Sequence, residues 1–244
     1  MRLFIAAYPP ADVREHFGDL VARLAVARPM PPGCSTRLAT PDRWHLTLAF
    51  LGDLTEGQAD DAADALRDLR VGPPTVRITG GSRFGRGRFT IMVADLRDVA
   101  AEPRGKDAVA ERGGVDAAAE RGEEDAVAER SGVDRVAERG GEDRVAERGG
   151  EDAVAERKAL AGLADAVRKA LRRRRVPFDH KPFRPHITIA RPGDRLPAAE
   201  LAADLAALDA YEGPSWTVDE VRLVRSFMGP RPEYESITTV ALTP

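Results

Sequence analysis

Residues 43–53 read RWHLTLAFLGD and residues 184–194 read RPHITIARPGD, so the chain contains nearly the same stretch twice, 141 positions apart. Two of its four histidines, His45 and His186, occupy the same place in the two copies. Successive side chains of a β-strand point to opposite faces, so a His and a Thr two residues apart share one face. The repeated pattern therefore predicts two strands, each with one polar and one apolar face.

The apolar residues of the two copies predict which face each strand buries. We expect Leu46, Leu48 and Phe50 to pack into the core in the first copy, and Ile187 and Ile189 in the second. A half-buried strand alternates polar and apolar residues anyway, so one copy alone would say little about function. Because the match covers eleven positions in both copies, we interpret the paired His and Thr residues as one functional site.

The segments around the two copies follow one plan of helix, histidine strand, helix and a pair of strands. The predicted strands cover residues 2–8, 44–51, 75–79, 89–96, 183–190, 217–227 and 236–242. Apolar residues at helical spacing predict helices near residues 13–24, 55–69, 160–171 and 197–210, and Thr55 with Gln58 forms a capping-box pattern. We predict one domain over residues 1–244 with a duplicated, two-lobed α+β fold, antiparallel sheets and a central cleft. The lobes cover about 1–100 and 158–244.

Residues 106–157 repeat a nine-residue unit close to DAVAERGG, and these units interrupt the two halves. Each unit offers about six helix-favouring residues before a glycine break, whereas an isolated helix needs about 12–15 residues to persist in water. The units contain no aromatic residue, so stacking them would bury little apolar area. We predict a flexible inserted segment, with a longer helix supported by tertiary contacts as the alternative.

The charge of the chain differs between the insert and the rest. Residues 106–157 hold nine basic and 16 acidic side chains, a net charge of −7, which leaves the other 192 residues at +4. A mildly basic body suits an anionic substrate. No apolar run approaches the ~20 residues of a membrane span, and the first ten residues lack the apolar region of a signal peptide. With Cys34 as the only cysteine, we expect a cytoplasmic monomer without disulfides or membrane contact.

Two histidines facing each other, each beside a hydroxyl, are suited to acid–base chemistry on a group with exposed oxygens. Imidazole has an ordinary pKa of ~6.5 and serves as a base when neutral and as an acid when protonated. The hydroxyls of Thr47 and Thr188 can donate hydrogen bonds to phosphoryl oxygens without adding charge. Metal binding is the rival use, but neither strand face provides a carboxylate or thiolate as a third ligand. We therefore expect no metal.

The HLTLAFLG and RPHITIAR stretches resemble the paired H-x-T-x signatures of the 2H phosphoesterases. Within that family the likeness is specifically to the RNA 2′,3′-cyclic phosphodiesterases, also called 2′-5′ RNA ligases. The resemblance extends to the opening MRLFIA, the FG at 84–85 and the closing VRLVRSFMGPRPEYE at 221–235. The repeat at 106–157 is not a feature of that family.

The resemblance implies hydrolysis of a terminal 2′,3′-cyclic phosphate on RNA to a 2′-phosphomonoester. It makes His45 the proton donor to the leaving 3′ oxygen and His186 the acceptor that activates water. Thr47 and Thr188 would hold the nonbridging oxygens, and the resemblance implies neither a metal nor an organic cofactor. Alternatives are 2′-5′ ligation, hydrolysis of a small cyclic nucleotide, or a nucleotide- or RNA-binding module of the same fold without turnover.

Two arginines are candidates for a phosphate contact. The resemblance points to Arg191, although strict alternation places it on the face opposite His186 unless the strand ends or bulges first. Arg184 has the parity of His186 instead. Both arginines remain candidates for the phosphate contact. Trp44 has the parity of the core, and Phe84 is a candidate for stacking on a base.

Overall fold

The computed structural model describes residues 1–99, 158–227 and 233–243, so the predicted insert at 106–157 lies outside the described residues. This part of the chain alternates between α-helices and β-strands. The helices are α1 (Ala11–Val21), α2 (Glu56–Arg67), α3 (Lys158–Arg173) and α4 (Ala198–Asp209). The strands are β1 (Arg2–Ala7), β2 (Leu46–Asp53), β3 (Thr75–Phe84), β4 (Ile91–Asp98), β5 (His186–Ala190), β6 (Glu212–Thr217), β7 (Glu220–Phe227) and β8 (Glu233–Ala241).

The strands form one antiparallel sheet in the order β6-β3-β4-β5-β2-β1-β7-β8. The two histidine strands, β2 and β5, are therefore neighbours at its centre. On each side of them the sheet combines strands from the N-terminal and the C-terminal half of the chain. β1, β7 and β8 lie on the side of β2, and β4, β3 and β6 lie on the side of β5. The predicted α+β fold with two matching halves and antiparallel strands is confirmed.

The helices cover one face of the sheet, and their sequence patterns explain why. In α2 the Thr55 side chain accepts a hydrogen bond from the Gln58 backbone N–H, and the Gln58 side chain accepts one from the Thr55 N–H at 3.0 Å. The capping box predicted from the sequence is thus present, which is typically worth about 1 kcal/mol. The predicted apolar stripes are buried in one large core: Val13, Phe17, Leu20, Val21, Leu24, Ala59, Ala62, Ala63, Leu66, Leu69, Leu160, Leu163, Val167 and Leu171.

The strand β6 was not predicted, and its composition explains the omission. Glu212–Thr217 reads EGPSWT, and Gly and Pro are both rare inside strands. Proline is tolerated here because β6 lies at the edge of the sheet, where its missing N–H costs no ladder hydrogen bond. The strand predicted at 217–227 is β7, which begins at Glu220.

Within the described residues, no helix combines the length and the apolar character that crossing a membrane requires.

Candidate active site

The two histidine strands meet where β2 runs antiparallel to β5, with Leu46 opposite Ile187. Continuing this register by one residue in each direction places His45 opposite Thr188 and Thr47 opposite His186. Side chains of opposed residues share one face, with their Cβ atoms about 4.5–5.5 Å apart. The two His-Thr pairs therefore lie together on the face away from the helices, which we call the site face.

The alternation of β2 changes at a β-bulge. Thr47 lies opposite Ala6 and Ala49 opposite Ile5, so β2 carries one extra residue between these pairs. Beyond the bulge, Phe50 lies on the site face, with its ring 6.3 Å from that of Phe4 and 54% of its surface exposed. The prediction that Phe50 packs into the core with Leu46 and Leu48 is wrong for this reason.

The second histidine strand has an equivalent bulge. Thr188 lies opposite Val93 and Ala190 opposite Met92, so β5 also carries one extra residue before it ends at Ala190. The strand thus both bulges and ends before Arg191, and either change allows this side chain to reach the face of His186. The positive charge of Arg191 contributes to lowering the pKa of His45, which shows that the guanidinium lies near the site. The side chain of Arg184 is exposed to solvent.

Both histidines are held by the same hydrogen bond. The Nδ1 atom of His45 lies 2.7 Å from the carbonyl oxygen of Arg43, and that of His186 lies 2.6 Å from the carbonyl oxygen of Arg184. A carbonyl oxygen can only accept, so Nδ1 carries the hydrogen in both rings. In each neutral ring the lone pair is then on Nε2, the nitrogen available to exchange a proton with a substrate.

The surroundings of His45 are aromatic. Its ring centroid lies 4.9 Å from that of Phe4, 5.6 Å from Tyr8 and 5.4 Å from Tyr234, which meets it edge-on at 89°. Continuing the β1–β2 register, in which Ala7 lies opposite Leu46, places Tyr8 directly opposite His45. Burial raises the pKa of Tyr8 to about 12, so this neighbour is uncharged.

These surroundings disfavour a proton on His45. Burial among the rings is the largest cause that lowers the pKa of His45, to about 4. The bond to the Arg43 carbonyl opposes the shift, whereas the positive charges of His186, Arg43 and Arg191 add to it. At neutral pH His45 is therefore a neutral imidazole in the free protein.

His186 has a different set of neighbours. Phe84 on β3 meets its ring edge-on, with centroids 4.9 Å apart, and Asp95 on β4 lies directly opposite it. Burial lowers the pKa of His186, but the carbonyl of Arg184 and the charge of Asp95 act in the opposite direction. Ser82 Oγ donates a 2.9 Å hydrogen bond to Asp95 Oδ1.

Asp95 is the residue of this site that the sequence analysis missed. It follows Met92, Val93 and Ala94, which are all fully buried, so an acidic residue at this point of the strand was a usable signal. Other expectations agree with the structure: Trp44 is 1% exposed and packs in the core. Among the described residues, no three His, Cys, Asp or Glu side chains cluster as a metal site would.

Comparison with solved structures finds the same fold in bacterial proteins. The chain matches E. coli LigT in its apo form with a TM-score of 0.57 at 20% identity, over 100% of this chain and 98% of that one. The complex of E. coli LigT with 3′-AMP gives a TM-score of 0.56 at the same identity and coverage. The protein TT0787 of Thermus thermophilus gives 0.58 at 22% identity, over 99% and 98% of the two chains. Comparison with curated protein sequences finds no match.

A family model settles what the fold alone does not. The model described as LigT-like phosphoesterase matches residues 8–91 and 153–234, which is more than half of the chain. The matched ranges include both histidine strands and β3, which carries Phe84, whereas Phe4 and Asp95 lie outside them. The chain therefore belongs to the LigT-like phosphoesterases, a branch of the 2H phosphoesterase family.

Proposed function

We propose that this phosphoesterase hydrolyses the 2′,3′-cyclic phosphate at the end of an RNA chain to a 2′-phosphomonoester, without a metal ion. The observation that carries the proposal is the matched pair of imidazoles. Both are fixed by a carbonyl on Nδ1, both lie on one face of two neighbouring strands, and each has a threonine opposite it. A cyclic phosphodiester needs this combination of one base, one acid and donors for its nonbridging oxygens.

The proposed reaction is a single in-line displacement at phosphorus. His186 takes a proton from water while the water oxygen forms a bond to phosphorus. The bond from phosphorus to the 3′ oxygen breaks, and His45 gives its proton to that oxygen. The hydroxyls of Thr47 and Thr188 donate to the nonbridging oxygens, and Arg191 or Arg184 adds positive charge as negative charge builds up.

The electrostatics of the site support these roles. His186 stands beside a carboxylate, which favours its gain of a proton. His45 is buried among aromatic rings and, once protonated, gives the proton up readily. A bound phosphate anion would raise the proton affinity of both rings. The net charge of +4 outside residues 106–157 also favours an anionic substrate, and E. coli LigT has been crystallised with 3′-AMP and with phosphate.

The decisive experiment is an assay in EDTA with an oligonucleotide that ends in a 2′,3′-cyclic phosphate. We expect conversion to the 2′-phosphate, identified by phosphorus NMR, and loss of conversion in His45→Ala and in His186→Ala. His180→Ala is the matched control, because His180 is exposed and lies before β5. A requirement for added divalent metal would overturn the metal-free mechanism.

The same assay separates the alternatives. Binding of the oligonucleotide without conversion would identify a nucleotide- or RNA-binding module. Joining of a cyclic-phosphate end to a 5′-hydroxyl end would identify 2′-5′ ligation. Faster turnover of a cyclic mononucleotide than of the oligonucleotide would identify a small-molecule phosphodiesterase.

We also propose that the protein acts as a cytoplasmic monomer. Both histidines come from one chain, so a second copy is not needed to complete the pair. The chain has a single cysteine and therefore no internal disulfide, which suits a reducing compartment. Light scattering of the active protein tests the monomer, since activity confined to a dimer fraction would contradict it.

A further inference from the structure

We infer that Asp95 is a positioning residue for the histidine pair, because its carboxylate faces His186 across β4 and β5 and stabilises the protonated form of that imidazole. This inference rests on the proposed function, in which the pair must hold one proton to act as an acid and a base together. It goes beyond the two histidines and two threonines of the repeated stretch.

The geometry holds the carboxylate in place. Asp95 lies opposite His186 in the antiparallel register, so the two side chains share the site face at neighbouring positions. Ser82, on the next strand of the sheet, fixes one carboxylate oxygen through the 2.9 Å hydrogen bond from its Oγ. His186 is itself fixed by the Arg184 carbonyl at 2.6 Å and by the edge of Phe84.

The charges around the pair show why a carboxylate matters here. Burial lowers the proton affinity of both histidines, which disfavours the charged form that each ring takes when it holds a proton. Asp95 is the negative group that opposes this effect at His186. Removing the carboxylate would leave the proton that His186 takes from water without a negative partner.

Other groups act on Asp95 itself. Burial raises its pKa, the Ser82 hydrogen bond lowers it, and the positive charge of His186 lowers it as well. Asp209, at the end of α4, raises the pKa of Asp95, and Arg97, further along β4, lowers it. Around Asp95 and His186 the titratable groups are thus His45, just before β2, Arg97 from β4 and Asp209 from α4, while β3 contributes the uncharged Ser82 and Phe84.

A carboxylate at this position costs free energy unless a hydrogen-bond donor or a positive charge compensates it. Burying a charge away from water is unfavourable, and Asp95 is half-buried at the end of the fully buried run Met92, Val93 and Ala94. A carboxylate can accept about four hydrogen bonds, and the single hydroxyl described above supplies only one of them. The neighbouring imidazolium supplies the rest of the compensation when His186 is protonated.

The test is an NMR titration of the His186 ring in the free protein, together with the pH profile of kcat/KM. In Asp95→Asn we expect His186 to titrate about one pH unit lower. The limb of the profile that reports the base His186 should move down by the same amount. Turnover should fall by about ten-fold at most, because a less basic imidazole takes the proton from water less readily, while the limb that reports His45 stays in place.

Companion variants keep the result interpretable if Asp95→Asn folds poorly. Ser82→Ala should give a smaller shift in the same direction, and Asp95→Glu should restore part of it. Asp194→Asn is the control, because Asp194 is an exposed aspartate beyond the end of β5. An unchanged His186 titration in Asp95→Asn would overturn the inference whatever the activity. A wild-type protein without phosphodiesterase activity would overturn the proposed function instead, and the titration would still decide whether Asp95 pairs with His186.

Discussion

The two halves of the site start from the same eleven-residue stretch and the same carbonyl hydrogen bond, but the strands beside them differ. The strand next to β2 places Tyr8 opposite His45, and the strand next to β5 places Asp95 opposite His186. One neighbour is a neutral ring and the other a carboxylate. The duplication therefore supplies two chemically identical side chains, and the adjoining strands make one a weaker base than the other.

The largest effect is expected from replacing either histidine, which tests whether the two rings act as one unit. We expect His45→Asn and His186→Asn each to lower kcat by roughly 10²–10⁴-fold, since each removes one half of an acid–base pair. The double variant should lose little more than either single one. Single-turnover rates on a cyclic-phosphate oligonucleotide measure this. Fully additive losses would show that the two rings serve separate steps.

How much of this site could be predicted from the sequence depends on whether the information is local. The capping box at Thr55 and Gln58 and the alternation of the two repeated stretches are local, and the structure shows both. The two bulges are not, because an extra residue appears only when a strand is paired with its neighbour. Alternation alone therefore predicts Phe50 in the core, whereas its ring is exposed on the site face.

The pairing of strands was equally out of reach. Asp95 and His186 are 91 residues apart in the chain, and they meet only because β4 and β5 are adjacent in the sheet. Spacing within one strand predicts which side chains share a face, but it does not predict which strand lies beside it. This is why the repeated histidines were found and their different neighbours were not.

A second prediction concerns stability in acid. Because burial lowers the pKa of His45 to about 4, the unfolded chain binds a proton at this residue more readily than the folded one between about pH 6.5 and 4. Stability is therefore lost as the pH falls through this window. We expect His45 to contribute about 3 kcal/mol of the loss between pH 7 and 4.

Denaturant unfolding of the wild type and of His45→Asn at both pH values measures this contribution. The variant should lose about 3 kcal/mol less than the wild type over the same range. His180→Asn is the control, because His180 is exposed. Equal losses in the wild type and His45→Asn would show that His45 titrates alike in the folded and unfolded chains.

A smaller change should follow from opening the aromatic surroundings of His45. Tyr234 lies on the edge strand β8 and meets the His45 ring edge-on at 5.4 Å. In Tyr234→Ala, water reaches His45, the effect of burial weakens and the pKa of His45 rises. We expect the His45 ring, followed by NMR, to titrate about one pH unit higher in the variant than in the wild type.

The matched control for this variant is Ile237→Ala. Ile237 lies on the same strand, is 41% exposed and has no aromatic ring to place against His45. If the His45 ring titrates alike in Tyr234→Ala and in the wild type, the aromatic rings are not what disfavours the proton on His45.

The smallest effect is expected from removing the nine-residue repeat at 106–157, which lies between the two halves in the sequence. We propose that residues 106–157 form an insertion that the chemistry does not need, because the described residues before 100 and after 158 already supply both histidines and both threonines. Replacing 106–157 with a short flexible linker should change kcat/KM by less than about three-fold, since lengthening a connection costs little free energy. Assaying the shortened protein beside the full chain, with circular dichroism to follow folding, measures this. A shortened protein that no longer folds would show that the repeat supports the sheet, and one that folds but loses activity would place part of the substrate's binding surface in the repeat.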